Sequence, residues 1–154
     1  LLSRHHQQRR NIGDRLAQAR TLTSDYTSET DSLFARINLA GDELDMYYKV
    51  QEALAEKIIP PDLVVYLRAS TDTLMKRIAQ RDRPYERQME SEYIDLVNQS
   101  YDDFYISSPQ ASHILTIETD NLNIIERPED LEFIHQRICE ELQLAPYQPG
   151  LPIQ

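Results

Sequence analysis

In residues 62–86, DLVVYLRASTDTLMKRIAQRDRPYE, a strand period gives way to a helical one within a few residues. Leu63-Val64-Val65-Tyr66-Leu67 is an apolar, β-branched run, short enough for a strand buried on both faces. Ser70 or Thr71 then offers an N-cap oxygen, and Asp72 adds a favourable charge to the first helical turn. Leu74, Met75 and Ile78 recur at helical spacing and turn toward a core, while Arg77 and Arg81 lie four residues apart on one face. Asp82-Arg83-Pro84 ends the helix, because a proline disfavours helical geometry in the residue before it. Arg83 and Glu86 therefore fall in a polar loop at the helix carboxyl end.

Arg77, Arg81 and Arg83 form an R-x-x-x-R-x-R pattern across that helix end. Guanidinium forks bind phosphate oxygens bidentately and keep their charge throughout a reaction. Thirteen of the sixteen basic residues are Arg, and four of those lie between Arg77 and Arg87, a concentration that suits a polyphosphate clamp. The other reading of the same spacing is a solvated basic helix face.

The segment PDLVVYLRASTDTLMKRIAQRDRPYE at 61–86, followed by EYIDLVNQSYDDFY at 92–105, resembles the deoxynucleoside kinase family. That family belongs to the nucleoside monophosphate kinase-like P-loop proteins. It carries a P-D-L-x-x-Y-L strand, a lid with R-x-x-x-R-x-R and a Glu three residues on, and a long helix opened by E-Y. Arg77, Arg81, Arg83 and Glu86 match the lid, and the resemblance runs from Leu1 to about Leu142. It implies an α/β fold, a P-loop NTPase-like parallel sheet flanked by helices. One domain is expected over 1–142, with an irregular tail at 143–154 marked by Pro146, Pro149, Gly150 and Pro152.

Composition narrows the partners. A chain of 154 residues with 40% apolar residues suffices for one domain with one core. A formal charge of −10 argues against a general nucleic-acid binder, since phosphate backbones demand cationic surface. An arginine cluster in an acidic whole points instead to a small anionic ligand. Cys139 is the single cysteine, so no internal disulfide forms and a reducing, cytoplasmic setting is expected. No apolar run reaches transmembrane length, and no partnership with a membrane is expected.

Leu1-Leu2-Ser3-Arg4 lacks an initiator Met and reads as the middle of a helix that continues to about residue 18. None of Gly13, Gly41 and Gly150 sits in a G-x-x-x-x-G-K-[ST] setting. A kinase of this family needs that cradle and an upstream carboxylate base. The expectation is an incomplete kinase whose first strand, P-loop and general base precede Leu1. His5 and His6 are adjacent, diverge by about 100° on a helix, and read as surface histidines.

Thr21-Leu22-Thr23 is a β-prone run leading to Asp25, and ligands of open parallel sheets gather at strand carboxyl ends. The family has an acid, an Arg and a Ser there. Asp25 matches the acid, Thr27 replaces Ser, and Tyr26 stands where Arg is expected. A cap for the next helix is the alternative role for Asp25. Helices are expected over 29–39, 42–57 and 92–106, a strand at His113–Thr119, and a last helix from Pro128 to about Leu142.

The resemblance implies ATP-dependent phosphorylation of a deoxyribonucleoside at its 5′-hydroxyl. Arg77, Arg81 and Arg83 would serve catalysis, Arg81 and Arg83 holding phosphates and Arg77 the donor nucleotide. Glu86 would accept a hydrogen bond from the sugar 3′-hydroxyl, and Asp25 would help hold Mg²⁺ through water. Arg4 and Asp31 would read the base, favouring a purine or deoxycytidine over thymidine. Asp120 and Asn121, in the turn after the second strand, would lie near the adenine of ATP. Relatives pack the helices corresponding to 29–39 and 89–106 across a two-fold axis, so a homodimer is expected. The rival readings are a nucleoside monophosphate kinase and a non-catalytic interaction protein on the same fold.

Overall fold

The computed structural model describes residues 17, 21–25, 27–53, 60–107 and 113–144. Its elements, in chain order, are α1 (Ser28–Asn38), α2 (Asp42–Ala53), β1 (Val64–Arg68), α3 (Thr71–Arg81), α4 (Ser91–Asp102), a π-helical turn (Asp103–Ser107), β2 (Ile114–Glu118) and α5 (Pro128–Glu141).

β1 and β2 pair in parallel, with Val64 opposite Ile114 and Arg68 opposite Glu118. Parallel neighbours need a long crossover, supplied here by α3, the loop after it, α4 and the π turn. Side chains alternate across the sheet, which separates two packing layers. On one face Leu115 and Ile117 meet Ile134 of α5, with Leu63, Val65, Leu122 and Ile138 packed around them. On the other, the Tyr66 ring stacks against Tyr105 at 5.1 Å and Tyr101 at 6.3 Å. Phe34 of α1 meets Tyr101 edge-on. The sheet is thus flanked by helices on both sides, as the alternating pattern predicts. Burial of β1 on both faces is incomplete, since Leu67 keeps 46% of its surface exposed.

Local signals account for the boundaries. Ser70 is the N-cap of α3, its Oγ accepting from the Thr73 amide at 3.3 Å. Asp82 ends the same helix in the left-handed region, φ 48°, where a short polar side chain is tolerated. Gly41 takes φ +54° between α1 and α2, a conformation that strains residues with a Cβ. Helix 42–57 is described as helical to Ala53, and the rest of that span lies outside the described residues.

Three expectations change. Residues 21–23 are exposed and form no strand, because β propensity yields a strand only where a ladder partner stands beside it. The helix expected over 92–106 is α-helical only to Asp102 and then widens into the π turn, which seats Tyr105 against Tyr66. The α1 cap is Thr27, not Asp25, and it makes no side-chain cap bond. Its hydroxyl lies instead 2.9 Å from Thr30 Oγ1 and 3.1 Å from the Tyr105 hydroxyl. Among the described residues no helix is long and apolar enough to cross a membrane.

Candidate functional site

The carboxyl ends of β1 and β2 are knitted together. Arg68 donates from Nη1 to Glu118 Oε1 at 2.9 Å, across the register that makes them neighbours. The same guanidinium grips Asp102 bidentately, Nε to Oδ1 and Nη2 to Oδ2, both at 2.8 Å. The Tyr66 hydroxyl donates to Asp102 Oδ1 at 2.9 Å. The Arg68 bonds hold the Asp102 carboxyl below its ordinary range. Burial, then the bond to Asp102, pushes the Tyr66 phenol up. This network locks the end of α4 to the sheet edge where α3 begins.

Beyond β2, Thr119 is nearly buried and prolongs the ladder, its amide donating to the Arg68 carbonyl at 2.8 Å. Asp120 follows and reaches α3: the Ser70 amide donates to its Oδ1 at 2.8 Å, and the Ser70 hydroxyl at 3.0 Å. These bonds, the amide first, hold the Asp120 carboxyl below its ordinary range. Arg77 reaches back from α3. Its Nη1 donates to Thr119 Oγ1 at 3.0 Å, and its Nη2 to the carbonyls of Thr119 and Leu122. Asn121 accepts on its carbonyl from Arg127.

The loop after α3 has its own centre. Glu86 is 7% exposed, and Arg81 donates to its Oε2 from Nε at 3.0 Å and Nη2 at 2.8 Å. Arg83 stands 3.8 Å from the other carboxylate oxygen and donates to the Tyr85 hydroxyl at 3.0 Å. Arg87 returns to the helix end and pairs bidentately with Asp82. The loop is therefore ordered by ion pairs around a buried acid.

The three arginines of the sequence pattern are thus divided. Arg81 and Arg83 converge on Glu86, whereas Arg77 faces the loop after β2. Arg81 and Arg83 each keep about half of their side-chain surface, 50% and 51%, open to solvent, enough to meet a ligand. Asp25 is exposed, and Asp31 is half-buried on α1. Among the described residues no group of three or more His, Cys, Asp or Glu is arranged to hold a metal. Arg4 lies outside the described residues, so its pairing with Asp31 is not on view; Tyr26 lies outside them too. Arg68, Asp102 and Thr119 were not singled out from sequence. One signal was available: Arg68 and Glu118 close the two apolar strand runs with opposite charges.

Known proteins resemble this chain in sequence and in fold. A family described as deoxynucleoside kinase matches residues 2–143. The deoxyguanosine kinase of Bacillus subtilis (strain 168) is 26% identical over 129 residues, 81% of this chain and 62% of that protein. The deoxyadenosine kinase of Dictyostelium discoideum is 32% identical over 109 residues, 68% of this chain and 43% of that protein. This chain thus spans roughly half of the length of the curated relatives it matches. The fold matches deoxyadenosine kinase from M. mycoides with bound dCTP at a TM-score of 0.64 and 24% identity, covering 75% of this chain and 62% of that one. The same enzyme with bound dATP matches at a TM-score of 0.58 and 25% identity, covering 82% of this chain and 67% of that one.

Proposed function

Because the chain belongs to the deoxynucleoside kinase family, we propose that the complete protein transfers the terminal phosphoryl group of ATP to the 5′-hydroxyl of a deoxyribonucleoside. The bond from the γ-phosphorus to its bridging oxygen breaks, ADP leaves, and a new bond forms to O5′ as the hydroxyl passes its proton to a carboxylate general base. Such transfers are catalysed chiefly by positioning and by neutralising charge on the phosphoryl oxygens. The observation that carries the reading is Glu86, a nearly buried carboxylate held by Arg81 and flanked by Arg83.

In this reading the open faces of Arg81 and Arg83 take the phosphate oxygens as the nucleotide arrives. Glu86 accepts a hydrogen bond from the sugar 3′-hydroxyl. Arg77, Asp120 and Asn121 belong to the side of the donor nucleotide. Asp25, a single exposed carboxylate, fits an ion that keeps most of its water and needs only one or two protein carboxylates. Mg²⁺ held there would neutralise phosphate charge. Asp31, together with Arg4, reads the base and favours a purine or deoxycytidine, a preference consistent with relatives named for deoxyguanosine and deoxyadenosine. The protein acts in the cytoplasm as a homodimer through α1 and α4, where Phe34 and Leu96 remain 40% and 50% exposed.

The test is direct. The complete protein, given ATP, Mg²⁺ and each of the four natural deoxynucleosides, should yield a 5′-monophosphate from at least one. No product from any of them rejects the reading.

A further inference from the structure

α3 and the loop after β2 hold each other at two places. Near the start of α3, Asp120 receives the Ser70 amide and hydroxyl. Its charge sits at the positive end of an 11-residue helix, where an anion is favoured. Seven residues on, Arg77 returns three hydrogen bonds to Thr119 and Leu122. Seven residues is two turns, so Ser70 and Arg77 share one face, about 10 Å apart along the axis.

A helix tied at one point is free to swing about that point; a second tie two turns along the same face fixes its direction against the loop. The loop is itself braced from behind. The Asn123 amide donates to Asp130 Oδ2 at 2.5 Å, Asp130 is buried, and Arg127 pairs with Asp130 at 2.7 Å. α3, the loop and α5 therefore form one continuous set of attachments. Arg81 emerges one turn beyond Arg77, so the direction of α3 fixes where Arg81 is delivered. In the same way, the tie to Leu122 fixes the path of the loop at 119–123.

From this we infer that Arg77 and Asp120 are positioning residues for the phosphoryl donor, acting as a reciprocal staple between α3 and the 119–123 loop. The inference rests on the proposed kinase reading. Arg77 has its terminal nitrogens committed to protein acceptors and influences the nucleotide through the loop and through the aim of Arg81. The acceptor nucleoside, held by Glu86 and Asp31, depends on the staple much less.

Calorimetric titration of the complete protein with ATP and, separately, with its best deoxynucleoside tests the staple. Arg77→Met and Asp120→Ala should each weaken ATP at least fivefold and leave deoxynucleoside affinity within twofold. The double variant should be no weaker than the weaker single, since either loss opens the same staple. Asp120→Asn keeps the Oδ1 acceptor for the Ser70 amide and should stay within twofold of the parent for ATP. If Asp120→Ala does not remain folded, Arg77→Lys, which keeps charge but loses the fork, should still weaken ATP selectively. Unchanged ATP affinity, equal weakening of both ligands, or multiplicative effects in the double variant each overturn the staple. A parent that binds neither ligand overturns the kinase reading with it, whereas a parent that binds both leaves the two failures distinguishable.

Discussion

Arg81 sets Nε and Nη2 on a single oxygen of Glu86, at 3.0 and 2.8 Å, and the acid is nearly buried while the arginine is half open. The pair joins the end of α3 to the loop that follows it. It leaves one face of the guanidinium toward solvent and one carboxylate oxygen toward Arg83. An ion pair of this kind adds little to stability when one partner is solvated. Its consequence is geometric: the guanidinium is aimed before a ligand arrives, so less ordering remains to be done on binding.

Arg81→Ala in the complete enzyme should therefore lower kcat/KM at least tenfold, about 1.4 kcal/mol of transition-state stabilisation. The melting temperature should move by no more than about 4 °C. Steady-state kinetics with a parallel thermal melt separates the two effects, and unchanged kinetics would remove Arg81 from the phosphate site.

Glu86→Gln keeps the shape of the side chain and removes its charge. A hydrogen bond to a charged group is worth about 1.5–3 kcal/mol, so KM for the deoxynucleoside should rise by about ten- to a hundredfold at saturating ATP. A variant with its nucleoside KM intact and only its ATP KM raised would place Glu86 on the donor side instead.

Asp102 gives a pH dependence of stability with a definite sign. Its folded pKa lies below the ordinary value of 3.8, chiefly because Arg68 donates to it. Stability from a depressed carboxylate is fully present above the ordinary value and is lost as pH falls through the folded one. Asp102→Asn should melt about 2–5 °C below the parent at pH 7, with the gap narrowing as pH drops below about 4. A gap that stays constant from pH 7 to pH 3 would mean that Arg68 does not hold the carboxylate.

If Asp31 and Arg4 read the base as proposed, base choice rests on a carboxylate acceptor and an arginine donor. Thymine presents a carbonyl where adenine and cytosine present an amine, so it offers Asp31 no donor there. Mismatches of this kind cost about 1–3 kcal/mol, and kcat/KM for thymidine should fall roughly ten- to a hundredfold below the best substrate. Thymidine emerging as the best of the four natural deoxynucleosides would overturn the assignment of Asp31.

Leu96 lies on α4 with half of its surface exposed. If α1 and α4 meet their counterparts across a two-fold axis, Leu96→Glu introduces two like charges into an apolar contact. Light scattering should give a dimer mass for the complete protein at micromolar concentration and a monomer mass for the variant. A monomer mass for the parent rejects the interface.

Sequence by itself determined the elements and their ends. The run at 63–67, the Ser70 cap, the spacing of Leu74 and Ile78 and the stop at Asp82 act within a turn or two of the chain. They carry β1 and α3 to within a residue of the structure. The same local logic overreached at 21–23, where strand propensity finds no ladder partner, and it missed the π turn, which depends on Tyr105 reaching Tyr66. Tertiary structure alone decided which arginine meets which acceptor. Arg77 and Arg81 are one helical turn apart and look equivalent in sequence. Yet Arg77 bonds to Thr119, 42 residues away, while Arg81 bonds to Glu86, five residues away. Arg68, Asp102 and Glu118 likewise become a network only when parallel register and the end of α4 bring them together. Helical period specifies direction from an axis, but the group waiting in that direction is set by strand register and by how the helices lie on the sheet.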